Sequence, residues 1–203
     1  SNAPFRPFET ELDEGKALEM LKEACAGAED GELFLERAKS ESLVLDDGRV
    51  KTASFDTSQG FGLRAVRGEV AGYAHSTEIS ETAVRRAVET ARLAVGEGGG
   101  TMAAGPKGTN TRLYKALDPI ESAGFAAKLD ILKEIDAYAR ALDKRVVQVT
   151  ASVSASYQEV EILRVDGQRL ADVRPMVRLN VGVIVEQDGR RESCSAGGGG
   201  RMA

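Results

Sequence analysis

One histidine and two cysteines leave few ways for these 203 residues to do covalent or metal chemistry. His75, followed by Ser76, Thr77 and Glu78, offers an imidazole and a carboxylate, but a zinc site needs three or four ligands. A single histidine also excludes any site that needs two imidazoles from this chain. Cys25 and Cys194 lie far apart and match no metal or redox spacing, which implies a reducing compartment, here the cytoplasm. Ser193-Cys194-Ser195 has no base beside it in sequence, so a cysteine or serine hydrolase would need the fold to bring His75 within hydrogen-bond reach. The run Gly96-Glu97-Gly98-Gly99-Gly100 follows a helical pattern instead of a strand and lacks the Gly-Lys-Ser/Thr ending of a phosphate loop. Gly60 and Gly62 read as sites of close backbone packing, and Asp46-Asp47 as turn chemistry. The basic pairs Arg85-Arg86, Lys144-Arg145 and Arg190-Arg191 each neighbour acids and read as solvated faces. Taken alone, the residue chemistry shows no active site.

The surrounding elements are easier to read. Leu18, Leu21, Cys25 and Ala28 recur at helical spacing and predict a helix over 11–27, with Gly27 and Gly31 marking its exit. Strands are predicted over 32–38 and 41–46, then a tight Asp47-Gly48 turn and a return strand over 49–56 with Val50 and Phe55. Phe61, Leu63 and Ala65 alternate as a further strand, turned at Arg67-Gly68 into another over 69–75. Ser80 is placed to cap a helix, with Ile79 and Val84 as a hydrophobic staple and Val84, Val88, Ala91 and Val95 as its buried stripe. Residues 97–112 lack periodicity and read as a linker.

In the second half, Phe125, Leu129, Leu132, Ile135, Ala139 and Leu142 give the clearest helix. Val147 to Tyr157 then alternate with Gln148, Thr150, Ser152, Ser154 and Ser156, a strand with one apolar and one hydroxyl-rich face. Strands over 159–165, 168–173, 177–185 and 190–195 follow, with turns at Asp166-Gly167 and Asp188-Gly189 and a break at Pro175. The expected class is α+β: mainly antiparallel sheets with about three amphipathic helices. The order of elements repeats, which suggests two related lobes, 11–96 and 113–196. Ser1-Asn2-Ala3 reads as a remnant of tag cleavage within a tail over 1–10. The four-glycine run after a strand pattern suggests that the polypeptide is a piece of a longer one.

Composition narrows the function. Lys plus Arg is 27 and Asp plus Glu is 32, a net charge of −5, which argues against non-specific nucleic-acid or anionic-membrane binding. No apolar run approaches the roughly 20 residues of a membrane span. Edge strands expose unpaired N–H and C=O groups, so a stand-alone module that captures peptides or proteins by strand addition is one reading.

Several segments closely resemble the amino-terminal part of the TldD/PmbA family, long called modulators of DNA gyrase and grouped with zinc metallopeptidases. They include Leu45-Asp46-Asp47-Gly48, Gln59 to Ala65, Lys128 to Leu132, Asp143 to Val146, Val149 to Ser152 and Ala171 to Leu179. The likeness continues through Glu186 to Arg191 and into Gly197-Gly198-Gly199-Gly200-Arg201. It covers about residues 30–201 and is closer to the TldD branch than to PmbA (TldE).

The family's His-Glu-x-x-x-His motif, with its further cysteine ligand, matches nothing in this sequence. The resemblance therefore implies a domain over 11–203 cut before the catalytic part, with no catalytic or metal residue of its own and zinc only in the whole protein. There, zinc-activated water would attack a peptide carbonyl with the motif's glutamate as base. The resemblance further implies pairing with a PmbA/TldE-like subunit or self-association around a cavity that admits extended peptides. Gly197, Gly198, Gly199, Gly200 and Arg201 are the candidate substrate-cleft residues, because glycine lets another backbone approach closely.

Overall fold

A computed structural model describes residues 4–96 and 115–201. The predicted linker over 97–112 lies outside the described residues. Eleven elements follow in order: α1 (Pro7–Thr10), α2 (Glu14–Ala24), β1 (Asp30–Asp46), β2 (Arg49–Arg67), β3 (Val70–Ser76), α3 (Glu81–Val95), α4 (Pro119–Ser122), α5 (Phe125–Leu142), β4 (Val146–Arg164), β5 (Arg169–Gln187) and β6 (Arg190–Gly200). The strands form one six-stranded sheet in the order β3-β2-β1-β4-β5-β6. The class is α+β, as expected, and three of the five helices are longer than one turn.

Local chemistry explains the elements. The Asp13 side chain accepts from Lys16 N at the start of α2, and Ser80 accepts from Ala83 N at the start of α3. Asp118 accepts from the N–H groups of Ile120 and Glu121, which starts α4 at Pro119. The two Asp-Gly hairpins have both central residues at positive φ: Asp47 at 51° with Gly48 at 73°, and Asp188 at 51° with Gly189 at 77°. That is the mirror-image turn whose twist matches paired strands.

The main departure from expectation is strand length. The two strands predicted over 32–38 and 41–46 are one strand, β1. The return strand over 49–56 and the Phe61–Ala65 run are both β2. The same fusion makes β4 from 147–157 and 159–165, and β5 from 168–173 and 177–185. Pro175 does not break β5, because β6 pairs only with Val177 to Gln187. At Pro175 the β6 side of β5 is an edge, where a missing N–H leaves no ladder bond unmade. The Gly197–Gly200 run continues the strand predicted over 190–195 and pairs with Val177–Asn180.

The chain divides into two compact units. The first comprises Ser1–Ala38, Ser58–Thr111 and Glu159–Val173, and the second Lys39–Thr57, Arg112–Gln158 and Arg174–Ala203. Each draws on both sequence halves, since strands of 17–19 residues span about 60 Å. The first unit has the larger core, with Leu21, Leu33, Leu35, Leu63, Val84, Val88 and Leu163 wholly buried. Ile79, Val84, Val88, Ala91 and Val95 join that core as the staple and stripe predict. The second unit has a smaller core of Leu43, Leu45, Leu132 and Ala151, with Leu129, Ile135, Val153 and Leu179 packed against it.

Candidate functional site

The second unit presents a polar sheet face built by strand alternation. Leu43, Leu45, Ala151 and Leu179 turn toward α5, so their neighbours in sequence turn the other way. That opposite face carries Asp46, Gln148, Thr150, Ser152, Arg178, Asn180 and Ser195. Asp46 accepts hydrogen bonds from Gln148 Nε2 at 2.9 Å and Thr150 Oγ1 at 2.7 Å. Those two bonds, with Lys51 nearby, hold its carboxyl below the ordinary carboxylate value. Arg178 Nε donates to Asn180 Oδ1 at 3.0 Å. Thr150, Ser152, Arg178, Asn180, Gly182, Ser195 and Gly197 line a shallow depression of about 400 Å³. Thr150 and Ser152 of the hydroxyl-rich stripe read from the sequence therefore line a polar concavity.

Of the predicted cleft glycines, Gly197 lines it. β6 is the last strand of the sheet, so one of its edges has no partner strand among the described residues. A Cβ on Gly197 would lie 2.3 Å from Asn180 Oδ1 and 2.9 Å from Leu179 O. One on Gly199 would lie 2.5 Å from Val177 O. Those two positions require glycine, whereas Gly198 and Gly200 face open space. The arrangement offers a bare backbone edge beside a field of hydroxyl, amide and guanidinium groups, a setting for an added extended strand. β2 has a second open edge, because β3 pairs with it only from Phe61 onward.

The other candidates fall into structural roles. His75 stacks on Tyr73 at 5.8 Å between ring centroids. It lies on β3 while Cys194 and Ser195 lie on β6, the two outer strands of the sheet. Glu78 accepts from Ser80 and pairs with Arg86. Cys25 is buried, and burial, with Asp30 nearby, pushes its thiol up to about 11. Among the described residues no group of three or more His, Cys, Asp or Glu is arranged to hold a metal ion. The described residues therefore do not fit a zinc site. A Cβ on Gly60 would lie 2.5 Å from Ser76 O, which is the close backbone packing its type suggests. Arg85, Arg86, Arg145, Arg190 and Arg191 each pair with an acid. A larger depression of about 660 Å³ borders the ends of α2 and α3, lined by Gly27, Arg92 and Leu93 among others.

Sequence reasoning missed the buried charges. Glu159 accepts from Phe5 N at 3.0 Å and from Arg37 at 2.7 Å. Arg169 bridges Glu161 and Glu14. Lys39 contacts Asp118 and Glu121, and Lys128 contacts Glu41 and Ile120 O. The partners stand 79 or more positions apart except Arg169–Glu161 and Lys128–Ile120, so no local pattern could announce most of them.

The fold and the segments that build it are those of a known class. Residues 31–95 match the family model for PmbA/TldA metallopeptidase domain 1, and residues 118–203 match that for the PmbA/TldA metallopeptidase central domain. The chain belongs to the PmbA/TldA (TldD/PmbA) metallopeptidase family. It is 38% identical over 175 residues to the metalloprotease TldD homolog of Haemophilus influenzae, covering 84% of this chain and 36% of the relative. It is 34% identical over 183 residues to that of Buchnera aphidicola from Acyrthosiphon pisum, covering 89% and 38%. The chain thus spans little more than a third of these relatives. A Thermotoga maritima protein described as a modulator of DNA gyrase shares the fold, with a TM-score of 0.73 at 16% identity over 94% of this chain and 43% of that one. TldE from Thermococcus kodakarensis does likewise, with a TM-score of 0.70 at 16% identity over 91% and 43%.

Proposed function

We propose that this chain is the assembly and substrate-access part of a TldD-like zinc metallopeptidase that hydrolyses unfolded or extended peptides. The observation that carries the reading is the pair of family matches, domain 1 and central domain, in a chain holding one histidine. Its curated relatives are named metalloproteases and are nearly three times as long as the matched stretch. The metal then belongs to polypeptide outside these residues, and the chemistry with it. What these residues do is bind and orient. The lobes read from the sequence, 11–96 and 113–196, would sit either side of the linker over 97–112.

The open edge of β6, with Gly197 to Gly200 and Arg201 beside the polar floor, would pair with the main chain of an extended substrate. A PmbA/TldE-like subunit or a second copy would enclose that peptide. A TldE from Thermococcus kodakarensis has the same fold as this chain, so a subunit of that kind could present matching strands. Two free cysteines, one buried, suit a cytoplasmic setting, and no helix among the described residues is long and apolar enough to cross a membrane.

Hydrogen exchange on the whole protein tests the cleft. An unfolded peptide should slow exchange of β6 amides over 190–200. Protection confined to other strands would remove β6 from the binding site. The open edges also favour a second reading, a peptide-binding module without catalysis. That reading predicts peptide capture by the whole protein with no turnover under any metal.

A further inference from the structure

Helix α5 is apolar on two sides. Toward the sheet it buries Leu132 and Ala139, with Leu129 and Ile135 half-buried. A second stripe, Ile131, Ile135, Tyr138 and Leu142, follows the 4-3-4 spacing of a helix-packing seam. Three of its four members are 50–68% exposed: Ile131 50%, Tyr138 68% and Leu142 67%. The charged flank lies elsewhere on the helix, where Arg140 pairs with Asp136 and with Asp47 of the β1–β2 turn. At about 100° per residue the apolar stripe falls on the opposite flank of the helix.

The sheet continues this surface. Val183 shares the face of Leu179, which packs against the α5 core, and its register partner on β6 is Cys194. Val147 on β4 shares that face and is 41% exposed. Helix flank and these sheet positions lie on the same side of the sheet in the second unit and together form its apolar ledge. Exposed apolar surface of this continuity marks a contact surface.

We propose that this ledge is the seat of the polypeptide that follows residue 203, docked against α5, β5 and β6 of the same chain. This rests on the reading that a further portion follows the central domain. Two observations choose this occupant over a second copy. About 62–64% of each curated relative's length lies outside the stretch matched here, the remainder of their 36–38% coverage, so a larger body accompanies it in them. The ledge is also small. A few half-exposed side chains offer on the order of 400 Å², about half of the ~800 Å² per partner that a stable dimer buries. A tethered body meets no such threshold, because its effective concentration is high and little association entropy is lost.

Cys194 reports on the ledge directly. The test compares its rate of reaction with a small disulfide reagent in the whole protein and in the 203-residue chain, with labelled sites assigned by mass spectrometry. The whole protein should label at Cys194 at least tenfold more slowly, with the protection unchanged on dilution. Tyr138→Glu combined with Leu142→Glu should restore fast labelling there, while leaving the melting temperature of the 203-residue chain unchanged. Equal labelling rates overturn the proposal, as does protection that is lost on dilution or that arises in the 203-residue chain as its concentration rises; both of the latter identify a second copy. Equal rates in a whole protein that still cleaves peptides would overturn the docking and leave the metallopeptidase reading standing.

Discussion

Glu159 shows how much a single side chain organises here. Its carboxylate takes the Phe5 N–H with one oxygen and the Arg37 guanidinium with the other, and Arg37 also stacks over the Phe5 ring at 5.5 Å. Both side chains of the ion pair are 12–13% exposed. Removing the acid takes the acceptor from the buried Phe5 N–H and the carboxylate from the Arg37 guanidinium, so Glu159→Ala should cost about 3 kcal/mol of unfolding free energy in a denaturant titration. An unchanged midpoint would mean that the pair is solvated. The two thiols should separate as clearly. At pH 8 the native chain should react through Cys194 alone, and denaturant should release Cys25. Because the folded Cys25 thiol titrates near 11, above its ordinary 9.0, this group leaves stability unchanged below pH 9.0 and lowers it as pH rises from there through 11. Asp46 acts in the opposite sense. Its value is lowered, so its contribution is present above the ordinary carboxylate range and is lost as pH falls through the folded value. Neither residue's partners adjoin it in sequence, which is why its role was not legible there.

Hairpins and helices were legible because their causes are local. Asp47-Gly48 and Asp188-Gly189 specify their turns within two residues, and Ser80 with Ile79 and Val84 specifies the start of α3. Strand length was not legible. Ser40, between the two runs read as separate strands, is a residue that usually marks a break, yet β1 passes straight through it because neighbouring strands pair along its length. Pro175 misled for the same reason, since the absence of β6 beyond Val177 is a fact of register. The glycine run is a sharper case. Sequence alone assigns its four members one property, while the structure separates two that must be glycine from two that need not be. Gly199→Ala places a methyl group against Val177 O and should fray the end of β6, speeding amide exchange over 197–200 and costing about 1–3 kcal/mol locally. Gly198→Ala has open space and should leave exchange there unchanged or slower. Equal behaviour of the two variants would contradict the described register.

At the scale of the whole molecule, one sheet carries two cores of unequal size. The first unit buries two dozen residues in its cluster and the second only four. The second is also the unit with the polar concavity, the bare β6 edge and the apolar ledge. A thin core beside these surfaces is what the proposed assembly role requires. That agrees with a chain spanning 36–38% of its curated relatives. The direct measurement is a peptidase assay on the purified 203-residue chain and on the whole protein, with an unfolded peptide and added zinc. The account predicts zinc-dependent cleavage by the whole protein and none by the 203-residue chain. Zinc-dependent turnover by the 203 residues alone, with a single histidine among them, would contradict it.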